Sequence, residues 1–177
     1  MERRALKFGT FITVLMFTLV AFVGCLNPFA PSLEQKLDLN QLIITEQKTP
    51  EEVLQNFRYA YVMRDSFLYS NLLDSAFVFV YFDPYAGTAG QFISWGRATD
   101  LMTTGRLFHQ FTTIDLVWES TIREPTGEGT KILKGFKLTL NDNGEEIRIS
   151  GDALFTFRKS PLDGKWRILK WEDRSNL

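Results

Sequence analysis

The second half of the sequence constrains the fold most strongly, because apolar and polar residues alternate there in long runs between turn signals. Ile114, Leu116 and Trp118, for example, occupy every second position. This period of two is typical of a β-strand with one buried face. Turns are predicted at residues 123–130, 141–144 and 161–164, where Gly, Pro, Asn and Asp cluster. The pattern predicts four antiparallel strands, at residues 112–122, 131–140, 147–158 and 165–173.

The last of these strands contains an irregularity. Its apolar side chains change face between Ile168 and Leu169. We therefore expect either a β-bulge at this point or a strand that is covered on both faces.

Helical signals come before these strands. Thr49-Pro50-Glu51-Glu52 combines an N-cap threonine, a proline at the first helical position and a glutamate at N3. Apolar residues follow at helical spacing, which predicts a helix over 50–64 and a shorter one over 66–73. An apolar strand is predicted over 76–82, a loop over 83–90, and a third helix that Ser94 caps and Trp95 opens.

Helices followed by antiparallel hairpins form an α+β pattern, in which the N-terminal helices cover one face of the sheet. We therefore expect a single α+β domain over residues 49–177.

The N-terminus resembles an export signal. Arg3, Arg4 and Lys7 precede a run from Phe8 to Gly24 that carries no charge. A basic start, an apolar centre and a small residue before the cleavage point define such a signal. Residues 1–24 are thus predicted to be a signal peptide, followed by Cys25, the only cysteine of the chain.

The segment Phe22-Val23-Gly24-Cys25 resembles the lipobox of bacterial lipoproteins, with phenylalanine where leucine is preferred. The resemblance implies that Cys25 becomes the first residue of the mature chain and carries a thioether-linked diacylglycerol. It also implies the periplasmic side of the outer membrane in a host with two membranes, because Leu26 and not aspartate follows. The alternative is an uncleaved signal anchor that ends in an ordinary buried thiol.

Residues 25–48 are predicted to be a lipidated N-terminus and a flexible tether, because Pro28 and Pro31 oppose regular structure near the membrane. Removal of residues 1–24 leaves 17 basic and 20 acidic residues, a net charge of about −3. The mature chain has no basic block that would neutralise phosphates, which argues against nucleic acid binding.

The sequence predicts no metal site and no cofactor. A single cysteine excludes an internal disulfide and two-cysteine metal sites. The acidic residues do not follow the spacing of a metal-binding loop, and no glycine-rich phosphate loop or nucleophile elbow occurs.

The order of elements resembles the nuclear transport factor 2-like fold. The resemblance lies in Thr49–Phe82, in the helix opened by Trp95, and in the stretch from Gly164 to Asp173. It implies a strongly curved sheet that forms a cone-shaped pocket with the helices. Members of this superfamily include isomerases, dehydratases, cyclases and non-catalytic binding modules, and relatives often form homodimers through the sheet.

Two residues are weak catalytic candidates. Tyr61 lies on the apolar face of the first predicted helix, where isomerases of this superfamily place an oxyanion-binding tyrosine. His109, the only histidine, is a possible general base. The alternatives are that Tyr61 is a core residue with its hydroxyl at the pocket rim, and that His109 interacts with carbonyls of the last helical turn.

No carboxylate partner for Tyr61 is evident, because Asp115 and Asp152 alternate with the inward residues and are expected on the outer face. Trp118, Trp166 and Trp171 either brace the sheet or form a binding surface.

The sequence therefore predicts a membrane-anchored envelope lipoprotein whose domain is a non-enzymatic binding or accessory module. Its pocket or sheet face would bind a small apolar ligand or a partner protein. Two alternatives remain: an isomerase- or dehydratase-like enzyme that uses Tyr61, and a structural homodimer.

Overall fold

A computed structural model describes residues 43–126 and 129–175 of the chain. The predicted signal peptide, Cys25 and most of the predicted tether lie outside the described residues. In the ranges that are described, no helix has the length and apolar character needed to cross a membrane.

The first helix begins where the sequence predicts. Helix α1 spans Pro50–Met63, and the Thr49 hydroxyl accepts a hydrogen bond from the backbone N–H of Glu52 at 3.2 Å. This bond satisfies one of the amides that a helix leaves unpaired at its N-terminus. Helix α2 spans Ser66–Leu72 and is capped by Asp65, which accepts from the backbone N–H of Leu68 at 2.8 Å.

Six strands form one sheet, and a third helix, α3 (Arg97–Gln110), follows the second strand. The order across the sheet is β2-β1-β6-β5-β4-β3, and only the β1–β6 pair is parallel. The strands are β1 (Leu73–Asp83), β2 (Gln91–Gly96), β3 (Thr113–Thr126), β4 (Gly129–Asp142), β5 (Glu145–Lys159) and β6 (Trp166–Ser175). This arrangement confirms the predicted α+β class and the mostly antiparallel sheet, but strand β2 and its hairpin with β1 are not predicted from the sequence.

The predicted start of the third helix is wrong. Ser94 and Trp95 lie in β2, and α3 begins at Arg97 after Gly96, which provides no side-chain cap. The reason is cross-strand pairing: Trp95 pairs with Phe79 of β1, and the two rings stack with centroids 4.5 Å apart. Aromatic pairs of this kind stabilise adjacent strands, and here the pair outweighs the capping signal of Ser94.

The predicted turn at 123–130 is also too long. Strand β3 continues to Thr126 and β4 starts at Gly129, because the antiparallel register runs on without interruption from Thr121 to the end of β3. In contrast, the predicted hairpin turn at 141–144 is confirmed. Asn143 and Gly144 both have positive φ angles, 47° and 95°, as a tight hairpin requires.

Strand β6 contains the bulge that the sequence indicates. Thr156 pairs with Lys170, whereas the next residue of β5, Phe157, pairs with Ile168, so Leu169 is the extra residue. The bulge places Ile168 and Trp171 on the same face of the sheet although they are three positions apart. It thereby directs Trp171 to the face that the helices cover.

The folded domain includes residues that the sequence analysis assigned to the flexible tether. The backbone N–H and C=O of Thr45 are both bonded to the buried side-chain amide of Asn56, at 2.8 and 3.0 Å. The carbonyl of Gln47 accepts from the N–H of Trp166 at 2.9 Å, and its side chain donates to the carbonyl of Trp166 at 3.0 Å. These bonds attach residues 45–47 to α1 and to the start of β6.

We predict that Asn56→Ala destabilises the mature chain, because the polar backbone groups of Thr45 lose both partners. The expected loss in the free energy of unfolding is about 1–3 kcal/mol. Gln55→Ala, at an exposed neighbouring position, should change it by less than about 0.5 kcal/mol. Urea denaturation measures both values, and hydrogen exchange at residues 45–47 should accelerate only in the Asn56 variant. Equal stabilities and unchanged exchange would contradict this account of the attachment.

Candidate functional site

A cavity of about 340 Å³ lies between the helices α1 and α3 and the inner face of the sheet. All six strands contribute side chains to its wall. Half of the lining residues are aromatic, namely Phe57, Tyr61, Phe79, Tyr81, Trp95, Trp118, Phe136, Phe155 and Trp171. The cavity is open, and large rings form its wall without filling it.

The aromatic wall follows from strand alternation. Phe79 and Tyr81 are two positions apart on β1 and share the inner face, and Trp95 stands beside both across the β1–β2 ladder. On the other side of the cavity, Phe57 of α1 stacks on Tyr61 with ring centroids 4.7 Å apart. These rings support each other and fix the shape of the cavity.

Asp100 introduces a carboxyl group into this apolar wall. It is 3% exposed and accepts hydrogen bonds from the Tyr69 hydroxyl at 2.7 Å and from the Trp95 indole N–H at 3.1 Å. Burial raises the pKa of Asp100, while the bonds from Tyr69 and Trp95 lower it. The two donors thus compensate part of the cost of placing a carboxyl group away from water.

Tyr61, the candidate from the sequence, lines the same cavity and is 5% exposed. Burial raises the pKa of Tyr61, the charge of Asp100 raises it further, and hydrogen bonding to Thr104 and Tyr69 acts in the opposite direction. The phenol therefore stays protonated at neutral pH, and a protonated phenol can donate a hydrogen bond.

Asp173 of β6 supplies a second carboxyl group to the cavity. It accepts hydrogen bonds from the backbone N–H and the hydroxyl of Ser175, both at 3.0 Å. Burial raises the pKa of Asp173, and the bonds from Ser175 oppose this shift. Tyr61, Asp100 and Asp173 thus contribute polar groups to a largely apolar site, together with Tyr81, Thr103 and Thr104.

The sequence analysis missed both carboxyl groups, although each has a signal. Asp173 is two positions after Trp171 and therefore shares its face of β6. Asp100, Thr104 and Phe108 are buried at intervals of four on α3. A carboxyl group is not expected in a buried position without a partner, and the donor Tyr69 on α2 lies 31 positions away from Asp100 in the sequence.

His109 does not line the cavity. It is exposed at the C-terminal end of α3. Asp115 on β3 and Asp152 on β5 are exposed as well. Of the three tryptophans considered in the sequence, Trp118 and Trp171 line the cavity and Trp166 does not. Trp118 also donates its indole N–H to the carbonyl of Leu54 at 3.1 Å, so it both braces α1 and forms part of the wall.

The chemistry available in the cavity is that of aromatic rings, two carboxyl groups, the phenols of Tyr61 and Tyr81, and the hydroxyls of Thr103 and Thr104. Within residues 43–126 and 129–175, no three His, Cys, Asp or Glu side chains come together as metal ligands. The arrangement can enclose a compact apolar molecule, hold a polar group at Asp100, Asp173 or Tyr61, and exchange a proton with it.

The chain is similar to known proteins in structure, whereas comparisons of its sequence find no match. No protein-family model and no curated protein sequence matches the chain. A nuclear transport factor 2-like superfamily protein from Salmonella enterica serovar Typhimurium is 17% identical, with a TM-score of 0.55 over 68% of this chain and 84% of that one. A proposed dehydratase of the same family from Streptomyces avermitilis is 18% identical, with a TM-score of 0.53 over 68% and 88%.

A third structure, a proposed aromatic ring hydroxylase from Novosphingobium aromaticivorans, is 12% identical, with a TM-score of 0.60 over 77% of this chain and 93% of that one. Identities this low carry information about fold and not about function. Together with the element order, these structural similarities show that the described part of the chain has the nuclear transport factor 2-like fold.

Proposed function

We propose that this protein is a lipid-anchored binding module of the cell envelope, and that its domain takes a small, predominantly apolar ligand into the aromatic cavity. The observation that carries the proposal is the open cavity of about 340 Å³ with its aromatic wall. Sites for small molecules are typically concave, mostly apolar and about 300–1,000 Å³ in volume. The cavity has these properties at the lower end of the size range.

The energetic argument concerns the exposed wall. Burial of apolar surface stabilises a complex by about 25 cal/mol per Å². Binding is therefore favourable when an apolar molecule replaces water against the aromatic wall. The rings cannot close the cavity themselves, because Phe57 and Tyr61 are already stacked on each other, as are Phe79 and Trp95. Such a wall favours a compact ligand with one or two rings.

Anchoring is the second part of the proposal, and its support lies in the sequence around Cys25. Between Cys25 and the first attached residue, Thr45, the chain has on the order of 20 residues and can span at most about 70 Å. That length allows the domain to stand away from a bilayer. We place the protein at the periplasmic side of the outer membrane where the host has one. The cone shape of the sheet, an envelope partner protein and a homodimer remain predictions from the sequence.

The cavity is tested by filling it. Ala153 lines the cavity and is 1% exposed, whereas its neighbour Leu154 has the opposite orientation on β5. We predict that Ala153→Leu weakens the binding of a naphthalene-sized neutral probe by about tenfold, or about 1.4 kcal/mol. Leu154→Phe, which also adds volume, should leave affinity within about twofold. The fluorescence of Trp95, Trp118 and Trp171 reports binding, and wild-type protein that binds no ring compound would contradict the proposal.

The anchor is tested by Cys25→Ser. We predict that this variant incorporates no fatty acid and accumulates as an uncleaved precursor, because the acceptor thiol is gone. Ser32→Ala, in the same segment, should be acylated and processed normally. Radiolabelled fatty acid and gel mobility measure both steps, and label that still enters the Cys25 variant would contradict lipidation at this residue.

A second candidate function is isomerase- or dehydratase-like proton transfer. It is favoured by the presence of Tyr61, Asp100 and Asp173 in one cavity. In this scheme the Tyr61 phenol donates a hydrogen bond to a substrate carbonyl oxygen, and the Asp173 carboxylate removes a proton from the α-carbon. The carboxyl group then returns this proton to the γ-carbon, so that the double bond moves and Asp173 is again ionised. A carboxylate whose pKa is raised by burial is a stronger base than one in water.

For this candidate we predict that Tyr61→Phe lowers kcat by about 10²–10³, the usual effect of removing one donor from a developing oxyanion. The rate should rise with pH through the raised pKa of Asp173, because only the ionised carboxyl group removes a proton. Absorbance follows the conversion of unconjugated cyclic ketones into conjugated ones, with Asp115→Asn as the control. Wild-type protein that binds these ketones without converting them would leave the binding module as the function.

A further inference from the structure

The charged groups of the cavity have one sign. Asp100 and Asp173 line it, and none of its described lining residues is lysine, arginine or histidine. The salt bridges found in the described ranges involve neither of these two carboxyl groups. The cavity therefore contains two acidic groups without a cation of the protein to balance them.

Both carboxyl groups accept hydrogen bonds from the protein, but these bonds bring no positive charge. Tyr69 and Trp95 donate to Asp100, and Ser175 donates to Asp173, but all three donors are neutral. Burial of a carboxylate with no opposite charge is costly. The raised pKa values of Asp100 and Asp173 reflect this cost, since burial is the largest cause of both shifts. A cationic ligand would supply the missing charge.

The aromatic wall is suited to the same kind of ligand. The faces of tryptophan, tyrosine and phenylalanine rings carry negative charge density and attract a cation within about 6 Å of the ring centroid. Trp118 already shows this property, because the Lys134 ammonium lies 5.9 Å from its ring centroid. Lys134 also donates to Thr121 and does not line the cavity, so its ammonium does not occupy the site.

We propose that the ligand of this cavity is a small organic cation, an apolar ammonium compound whose charged group lies among the aromatic rings beside Asp100 and Asp173. The inference rests on the proposed function, since it names the ligand class of the same cavity. A quaternary ammonium group suits the site, because it needs opposite charge and ring faces but no hydrogen-bond acceptor, and the carboxyl oxygens already accept bonds from the protein.

Other ligand charges fit the lining less well. An anion would meet two carboxyl groups and no positively charged lining residue. A neutral ring compound would gain apolar burial but would leave both carboxyl groups without a counter-charge. A cation with an apolar body gains from the ring faces, the apolar area and the carboxyl groups together.

The test compares two probes of the same shape, phenyltrimethylammonium and its neutral isostere tert-butylbenzene, on the full mature chain. Tryptophan fluorescence measures both dissociation constants. We expect the cation to bind at least about tenfold more tightly, a difference of about 1.4 kcal/mol. Asp173→Asn keeps the shape of the side chain and removes its charge. It should reduce this ratio severalfold, because it weakens the binding of the cation more than that of tert-butylbenzene.

Asp152→Asn is the matched control, because Asp152 is exposed on β5 and does not line the cavity. It should leave the ratio unchanged. Equal or tighter binding of tert-butylbenzene would overturn the cation proposal and leave the binding of apolar ligands standing. Binding of neither probe would contradict the proposed function itself. A cation preference that survives both Asp173→Asn and Asp100→Asn would overturn the assignment of the carboxyl groups.

Discussion

The fold depends on the packing of aromatic rings around Phe57. This side chain is 2% exposed and contacts rings from α1, α2, β3, β5 and β6 at centroid distances of 4.7 to 5.8 Å. Large flat side chains on a helix and on a facing sheet bury much surface at few positions. Phe57, Trp118, Phe155 and Trp171 of this cluster also line the cavity. The packing that holds the helices on the sheet therefore also creates the candidate site.

The polar groups of the cavity are placed by this packing and not by the local sequence. Asp100 depends on Tyr69 from α2 and Trp95 from β2, so three separate elements must be in position before its carboxyl group has any partner. Asp173 depends on the bulge at Leu169, which brings Trp171 to the inner face and Asp173 after it. A site built in this way forms only once the domain has folded. In the folded domain, two opposing effects set the pKa of each carboxyl group: burial raises it, and hydrogen bonds from neutral donors lower it.

Much of the fold is predictable from the sequence because periodicity and turn chemistry are local. The cap at Thr49, the hairpin at Asn143-Gly144 and the bulge at Leu169 are all visible in short windows. The errors occur where pairing between distant residues decides. Ser94 is a good helix cap in isolation, but Phe79 pairs with Trp95 and makes the segment a strand. The position of Asp100 is decided in the same way, by its bond from Tyr69 on a different helix. Of the residues that line the cavity, the sequence singles out Tyr61, Trp118 and Trp171 but neither carboxyl group.

The point at which the preceding chain joins the domain bears on how the cavity is reached. Gln47 is bonded to Trp166 at the start of β6, whereas Asp173 lies seven positions further along the same strand. At about 3.3 Å per residue, roughly 23 Å separate the attachment from this carboxyl group. Residues 45–47 therefore do not cover the carboxyl group of Asp173. The chain enters the domain at residues 45–47 beside α1 and the start of β6, whereas Asp173 lies toward the other end of that strand.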